Sequence, residues 1–181
     1  MTDAPSQALA SSRSRGAADT EPRDERARGR ELALLALCHL ESYPPAEHGE
    51  ALELLWGSPP RGDDERGSSF VTLVRDPDAH RWAVALLRDL VPRLDSLDAV
   101  LSETSVRWRI DRMAQVDRNV LRLVAFELEQ RPQTPRAVVL AEAVRLARRY
   151  GSERSAGFVN GVAEALAQRL RPAVAAAEGD G

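Results

Sequence analysis

The sequence has no lysine, a single cysteine and few aromatic residues. With Cys38 alone no intrachain disulfide can form, which predicts a reducing, cytoplasmic environment. The absence of lysine excludes a phosphate-binding loop that ends in Gly-Lys-Ser/Thr. All 25 basic residues are arginine, which suits phosphates and guanine edges. The net charge of −3 and the pI of 5.7 instead favour coding bias, so nucleic-acid binding would need a local basic patch.

Long apolar runs are also missing, because no segment approaches the roughly 20 residues that span a bilayer. The first residues lack the apolar core of a signal peptide and are rich in Ala, Ser, Gly, Asp and Pro. We therefore predict no membrane association and a disordered tail over residues 1–22. A helical domain over 23–171 and a flexible end over 172–181 complete the predicted organisation.

The usual patterns of catalysis and metal binding are absent. The histidines His39, His48 and His80 have no zinc-type spacing to one another or to Cys38. The chain also lacks a nucleophile elbow and a dinucleotide-binding fingerprint. The sequence thus predicts an interaction protein that has no metal, no cofactor and no enzymatic activity.

Apolar periodicity predicts an all-α fold of seven helices in one bundle or two packed bundles. The segment "GSPPRGDDERGSSF", residues 57–70, carries turn signals and is predicted to be a loop. The predicted helices cover about 24–42, 46–56, 76–90, 95–104, 112–130, 134–150 and 152–166.

The most unusual stretch is "YGSERSAGFVNGVAEAL", which places Phe158 and Asn160 one turn into the last helix. Gly151 is expected to end the preceding helix in a left-handed conformation, and Ser152 to start the last one. Phe158 belongs to the same apolar stripe as Val162, so packing in the core is an alternative to an exposed, functional role.

Three motifs in order, "RARGRELALLALCHLE", "IDRMAQVDRNVLRLVAFEL" and "TPRAVVLAEAVRLARRYGSERSAGFVNGV", resemble the NusB family of transcription antitermination factors. The resemblance extends from about Arg26 to Leu170 and is weakest over 43–80. It implies two small helical bundles. It also implies pairing with NusE, a ribosomal protein, and joint binding of single-stranded boxA RNA in nascent ribosomal RNA, which helps RNA polymerase pass terminators.

The first helix and the start of the last helix form the RNA surface that the resemblance implies, where an aromatic residue could stack on a base. The arginines near the start of the first helix are interspersed with acidic residues, so a salt-bridged helix start is an equal alternative. The predicted RNA-binding residues are Arg23, Arg26, Arg28, Arg30, Arg154, Gly157 and Phe158.

The NusE surface implied by the resemblance involves the fifth predicted helix. Its candidate residues are Asp117, Arg118, Leu121 and Glu127. The chain departs from the family pattern at three positions. Cys38 replaces an aromatic residue, Ala141 replaces an asparagine, and Arg154 replaces an acidic residue, a charge reversal on the RNA side.

Two other functions fit the same resemblance. One is a scaffold that docks proteins, as a homodimer, without binding RNA. The other is the accessory domain of an RNA methyltransferase, which would need a long cofactor-binding domain after the helices. The length of 181 residues argues against the methyltransferase, and salt-sensitive RNA binding would exclude the scaffold.

Overall fold

The computed structural model describes residues 22–59, 65–105 and 109–172. This part of the chain contains helices and turns but no strand, which confirms the predicted all-α fold. Its eight α-helices are α1 (Pro22–Leu40), α2 (His48–Gly57), α3 (Glu65–Val74), α4 (Pro77–Leu90), α5 (Leu94–Thr104), α6 (Gln115–Gln130), α7 (Arg136–Tyr150) and α8 (Ser155–Leu170).

The helices form two packed bundles, as predicted. In the first bundle α1 packs mainly on α4 and also on α3 and α2, and in the second α6, α7 and α8 pack on one another beside α5. Helix α6 also packs on α1 and buries 11 of its 16 residues. A helix that is buried over most of its circumference lies in the interior, so α6 joins the two bundles.

Helix α3 lies where the sequence predicted a loop. This segment is rich in turn-forming residues, but it also has an apolar face, because Phe70 and Leu73 are buried. Phe70 stacks on Trp56 of α2 with a centroid distance of 5.9 Å and an interplanar angle of 6°. Burial of this face outweighs the weak helix propensity of Gly and Ser.

Several predicted features lie outside the described residues. These are residues 1–21 of the predicted tail and residues 173–181 of the predicted flexible end. Within the described part, Gly151 has φ −91° and ψ −171°, so it is extended and not left-handed as predicted. A Cβ at this position would lie 2.5 Å from the Ser155 side chain, so space explains the glycine.

A buried ion pair connects the two bundles. Arg30 of α1 donates through Nε and Nη2 to the two carboxylate oxygens of Glu127 in α6, at 2.7 Å each. The two residues are only 3% and 2% exposed. The guanidinium carbon of Arg30 also lies 5.1 Å from the centroid of the Trp82 ring in α4. This geometry satisfies the carboxylate and holds α1, α4 and α6 together.

The close contact between α1 and α4 depends on a glycine. A Cβ on Gly29 would lie 2.5 Å from Cε3 of Trp82. Real Cβ atoms do not approach this closely, and the indole is confined by Arg30 of α1 and by Arg131, which follows the end of α6.

We expect Gly29→Ala to lower the free energy of unfolding by about 1–3 kcal/mol, because the methyl group displaces Trp82. Urea denaturation measures this change. Gly49→Ala is the matched control, since a Cβ on Gly49 meets nothing within 4 Å and should leave stability equal or higher. Equal stabilities for the two variants would contradict this packing.

We expect Glu127→Gln to lower the free energy of unfolding by about 3–5 kcal/mol, because it leaves Arg30 buried without its counter-charge. The double variant Arg30→Met/Glu127→Leu should recover most of this loss, since it removes both charges. Thermal and urea unfolding of the wild-type protein and the two variants measure these differences. A single-variant cost below about 1 kcal/mol would show that the pair is not critical.

Candidate nucleic-acid interface

A groove of about 820 Å³ opens between the end of α5, the turn before α6, and the first turns of α6 and α8. Four of the predicted functional residues line it. Arg154, Gly157 and Phe158 come from the predicted RNA set, and Asp117 comes from the predicted partner set. The volume lies within the roughly 300–1,000 Å³ of ligand-binding pockets.

The turn between α7 and α8 positions the upper wall of the groove. The amide of Ser152 donates to Oγ of Ser155 at 2.9 Å, and Ser155 is 1% exposed. This hydrogen bond and the glycine at position 151 fold the chain tightly before α8. Arg154 therefore caps α8, and Phe158 follows one turn later.

Phe158 combines the two roles that the sequence left open. Its ring packs against the core and also lines the groove, and the residue is half-buried. The neighbouring Gly157 and Gly161 are exposed and would carry a Cβ into open space. Because these two positions have no side chains, the helix backbone itself forms one side of the groove, and a flat ligand can approach it closely.

The groove is basic. Arg109, Arg112 and Arg154 are exposed on its rim, and Nη2 of Arg109 pairs with Asp111 at 2.8 Å. Arg112 and Arg154 form no ion pair with any described residue. Sequence reasoning missed Arg109 and Arg112, although they flank Ile110 in the "VRWRIDR" segment, where arginines alternate with apolar residues.

The predicted arginines of α1 have different environments. Arg26 is exposed and has no ion pair among the described residues, whereas Nε of Arg28 lies 3.0 Å from Oδ2 of Asp76. Asp76 caps α4 through its other oxygen. The Arg23 side chain lies outside the described part of the chain. Arg28 therefore fastens α1 to the start of α4.

Arg30 lies in the core and not on the surface. Its guanidinium donates two hydrogen bonds to the carboxylate of Glu127. Because Arg30 is only 3% exposed, an external phosphate cannot reach its remaining N–H groups. Arg26 and Arg30 were predicted to share one role because they are one helical turn apart. The fold separates them.

The first and last helices are linked through α7. The Tyr150 hydroxyl donates to Oε1 of Glu31 at 2.5 Å, and Arg145 and Arg149 approach the same carboxylate at 3.0 and 3.1 Å. Burial and the hydrogen bond to Glu31 raise the pKa of Tyr150. The C-terminal turn of α7 thus connects the exposed end of α1 with the start of α8.

The predicted partner residues are split between the surface and the core. Leu121 is fully buried and Glu127 is 2% exposed, so neither is available to an external protein. Asp117 is 7% exposed and lines the groove. Among the four, Arg118 reaches the surface best, with its side chain 18% exposed.

Arg118 belongs to a polar network at the end of α1. It donates to both oxygens of Glu41 at 2.9 and 2.7 Å and to the carbonyl of Met113 at 2.9 Å. Arg122 donates to the same Glu41 at 2.9 Å. Burial acts to raise the pKa of Glu41, but hydrogen bonding and the charges of Arg118 and Arg122 outweigh it and lower this pKa. The network fixes the loop that precedes α6.

The described residues contain no group of His, Cys, Asp and Glu side chains that could hold a metal ion. None of the helices in this part of the chain is both long and apolar enough to cross a membrane.

Comparison with known proteins gives a consistent result. The transcription antitermination protein NusB of Myxococcus xanthus is 41% identical over 142 residues, 78% of this chain and 94% of that protein. Thermotoga maritima NusB has a TM-score of 0.59 at 28% identity, covering 79% of this chain and 90% of that chain.

A chain in the crystal structure of a plectonemic RNA supercoil also has a TM-score of 0.59, at 26% identity, and covers 80% of this chain and 95% of that one. A model of the NusB family matches residues 28–168. This match spans most of the described helices, including both walls of the groove, and the chain belongs to the NusB family.

Proposed function

We propose that this protein is a non-catalytic, RNA-binding transcription antitermination factor. Together with NusE it binds boxA-like single-stranded RNA in nascent ribosomal transcripts. The bound complex supports processive transcription by RNA polymerase.

One observation carries the proposal: an open groove is lined by a half-buried aromatic ring and by two arginines that form no ion pair with the described residues. Arg112 and Arg154 can neutralise phosphates, while Phe158 presents a surface on which an unpaired base can stack. Sequence-specific RNA recognition depends on such splayed bases, because the edges of paired bases are inaccessible in an A-form duplex. The groove therefore suits a single strand.

The relatives support the same function. The Myxococcus xanthus relative is a transcription antitermination protein, and one structural neighbour comes from a crystal of an RNA supercoil. The charge reversal at Arg154 adds a cation at the cap of α8, where amide groups of the first turn also favour an anion.

The proposed phosphate contacts are the exposed arginines Arg26, Arg109, Arg112 and Arg154. Arg28 and Arg30 have structural roles instead, since each approaches a carboxylate on another helix. The RNA would run from the groove, past the end of α7, to the exposed end of α1.

NusE is proposed to dock beside the groove, where the end of α1 meets the start of α6. Gln115 is exposed there and donates to the carbonyl of Cys38 at 2.9 Å, next to the Arg118–Glu41 pair. Surface charges held in a rigid network suit a specific partner, because their geometry needs little ordering on binding.

A scaffold that docks proteins as a homodimer and binds no RNA is the second candidate function. The observation that favours it is the extensive pairing of arginines with carboxylates, as in the contacts of Arg118 and Arg122 with Glu41. The RNA titration below separates the two functions.

For a labelled boxA-like RNA, about four phosphate contacts predict that log affinity falls with log salt at a slope near −3. Arg154→Ala should reduce the magnitude of this slope by about one. Arg30→Met/Glu127→Leu is the matched control and should leave it unchanged, because Arg30 is internal. Fluorescence anisotropy against scrambled RNA provides the measurement, and binding that is neither selective nor salt-dependent would favour the scaffold.

In the same titration, added NusE should tighten RNA binding.

Arg118→Ala should weaken NusE binding at least about tenfold, since it releases Glu41 and the loop before α6. Arg93→Ala is the control, since it also removes an arginine, but one that is exposed and lies outside this network. Calorimetry with both folded variants measures the difference, and equal NusE affinities would place the partner elsewhere.

A further inference from the structure

The proposed RNA surface is made by both bundles. Arg26 lies on α1 in the first bundle, whereas Arg154 and Phe158 lie at the start of α8 in the second. Helix α1 packs on α2, α3, α4 and α6 but hardly on α7, which leads into α8. One RNA strand contacts both parts at once only when they are held at a fixed distance. The side chains that connect α1 with α7 therefore bear on RNA binding.

These side chains meet at the buried carboxylate of Glu31, which is 5% exposed. Its Oε1 accepts from the Tyr150 hydroxyl at 2.5 Å and lies 3.1 Å from Nε of Arg149. Its Oε2 accepts from Nη1 of Arg145 at 3.0 Å. Three donors, two of them charged, satisfy the carboxylate and fix its position. We call these contacts the Glu31 network.

Arg145 ties this network to the turn of α1 that carries Arg26. Its Nη2 donates to the carbonyl of Ala27, the next residue after Arg26, at 3.1 Å. The same Nη2 also lies 3.1 Å from Oε2 of Glu142 on α7. The guanidinium is therefore held from both helices, and it connects the main chain beside Arg26 with α7.

Tyr150 ties the network to the groove. It is the last residue of α7 and directly precedes Gly151, where the tight turn toward Arg154 and Phe158 begins. Its ring has only two rotatable bonds, so the hydroxyl follows the backbone more closely than a long arginine side chain does. Tyr150 is 4% exposed, so it cannot reach RNA itself.

We propose that Tyr150 is a positioning residue for RNA binding. Its hydrogen bond to Glu31 holds Arg26 at the distance from Arg154 and Phe158 that a bound single strand spans. This inference rests on the proposed RNA-binding function, and it adds the requirement that the two bundles keep a fixed relative position.

The first test is the salt dependence of binding to a labelled dodecamer that contains the boxA-like sequence. Tyr150→Phe removes a neutral hydroxyl and no charge, while Arg145 and Arg149 still satisfy Glu31. Loss of the Arg26 contact should nevertheless weaken binding about fivefold near 0.1 M salt. It should also reduce the magnitude of the salt slope by about 0.7, the share of one phosphate contact. Fluorescence anisotropy measures both quantities.

Glu31→Gln separates positioning from overall charge. This change makes the protein more positive, so electrostatic attraction alone would tighten RNA binding. We expect weaker binding instead, by at least the loss found for Tyr150→Phe, because the amide holds all three donors less firmly. Thermal unfolding checks that the variant is folded.

Combined variants then locate the effect. Arg26→Ala should weaken binding of the dodecamer about fivefold in the wild-type background but less than about twofold in Tyr150→Phe. Arg154→Ala should have the same cost in both backgrounds, because the groove stays intact. Tyr43→Phe is the matched control, since it removes a hydroxyl from a half-buried tyrosine whose ring contacts His39 outside the network. It should change neither the affinity nor the slope.

The outcomes separate this inference from the proposed function. Selective binding by the wild-type protein, with the same affinity and slope in Tyr150→Phe, would overturn the positioning role alone. Tighter binding by Glu31→Gln would also overturn it, and so would equal reductions in the costs of Arg26→Ala and Arg154→Ala. Absence of selective binding by the wild-type protein would overturn the RNA-binding function itself.

Discussion

The Arg30–Glu127 pair is the contact on which the arrangement of the two bundles depends. Removing two charges from water is costly, and the attraction between them offsets this cost only when the geometry is good and the remaining donors are satisfied. Here two 2.7 Å hydrogen bonds and the face of Trp82 surround the guanidinium. The pair fixes α6 relative to α1. Because Asp117 and Arg118 lie in the first turn of α6, a contact in the core also sets the geometry of the groove.

The fold could be predicted largely from sequence because its helices are amphipathic and bounded by proline or glycine. Asp76 and Pro77 start α4 as expected, with Oδ1 of Asp76 accepting from two amides of the first turn. Prediction failed where burial overrides local preference. The segment that became α3 has the composition of a loop, and its helix depends on Phe70 and Leu73 reaching the core.

The site was less predictable, because helical periodicity identifies a face but not the charges that will oppose it. Arg30 has a carboxylate partner 97 residues away, which no local pattern reveals. Arg154 and Phe158, which both line the groove, could be predicted to lie together because they belong to one continuous motif. Arg112 and Ser105 were missed, since they come from separate elements and meet only when α5, α6 and α8 pack together.

The pairing of charges also reconciles the proposed RNA binding with a net charge of −3. Interior and interhelical carboxylates neutralise many arginines, as Glu31 and Glu41 do, and such pairs contribute little attraction at a distance. The proposed binding then depends on the few cations around the groove that form no ion pair with the described residues, while stacking and base contacts add selectivity. Such a surface would attract RNA only weakly at a distance, and its selectivity for an RNA sequence would come from contacts with the bases in the groove. Its affinity would therefore rise when a second protein extends the contact, which is the arrangement proposed with NusE.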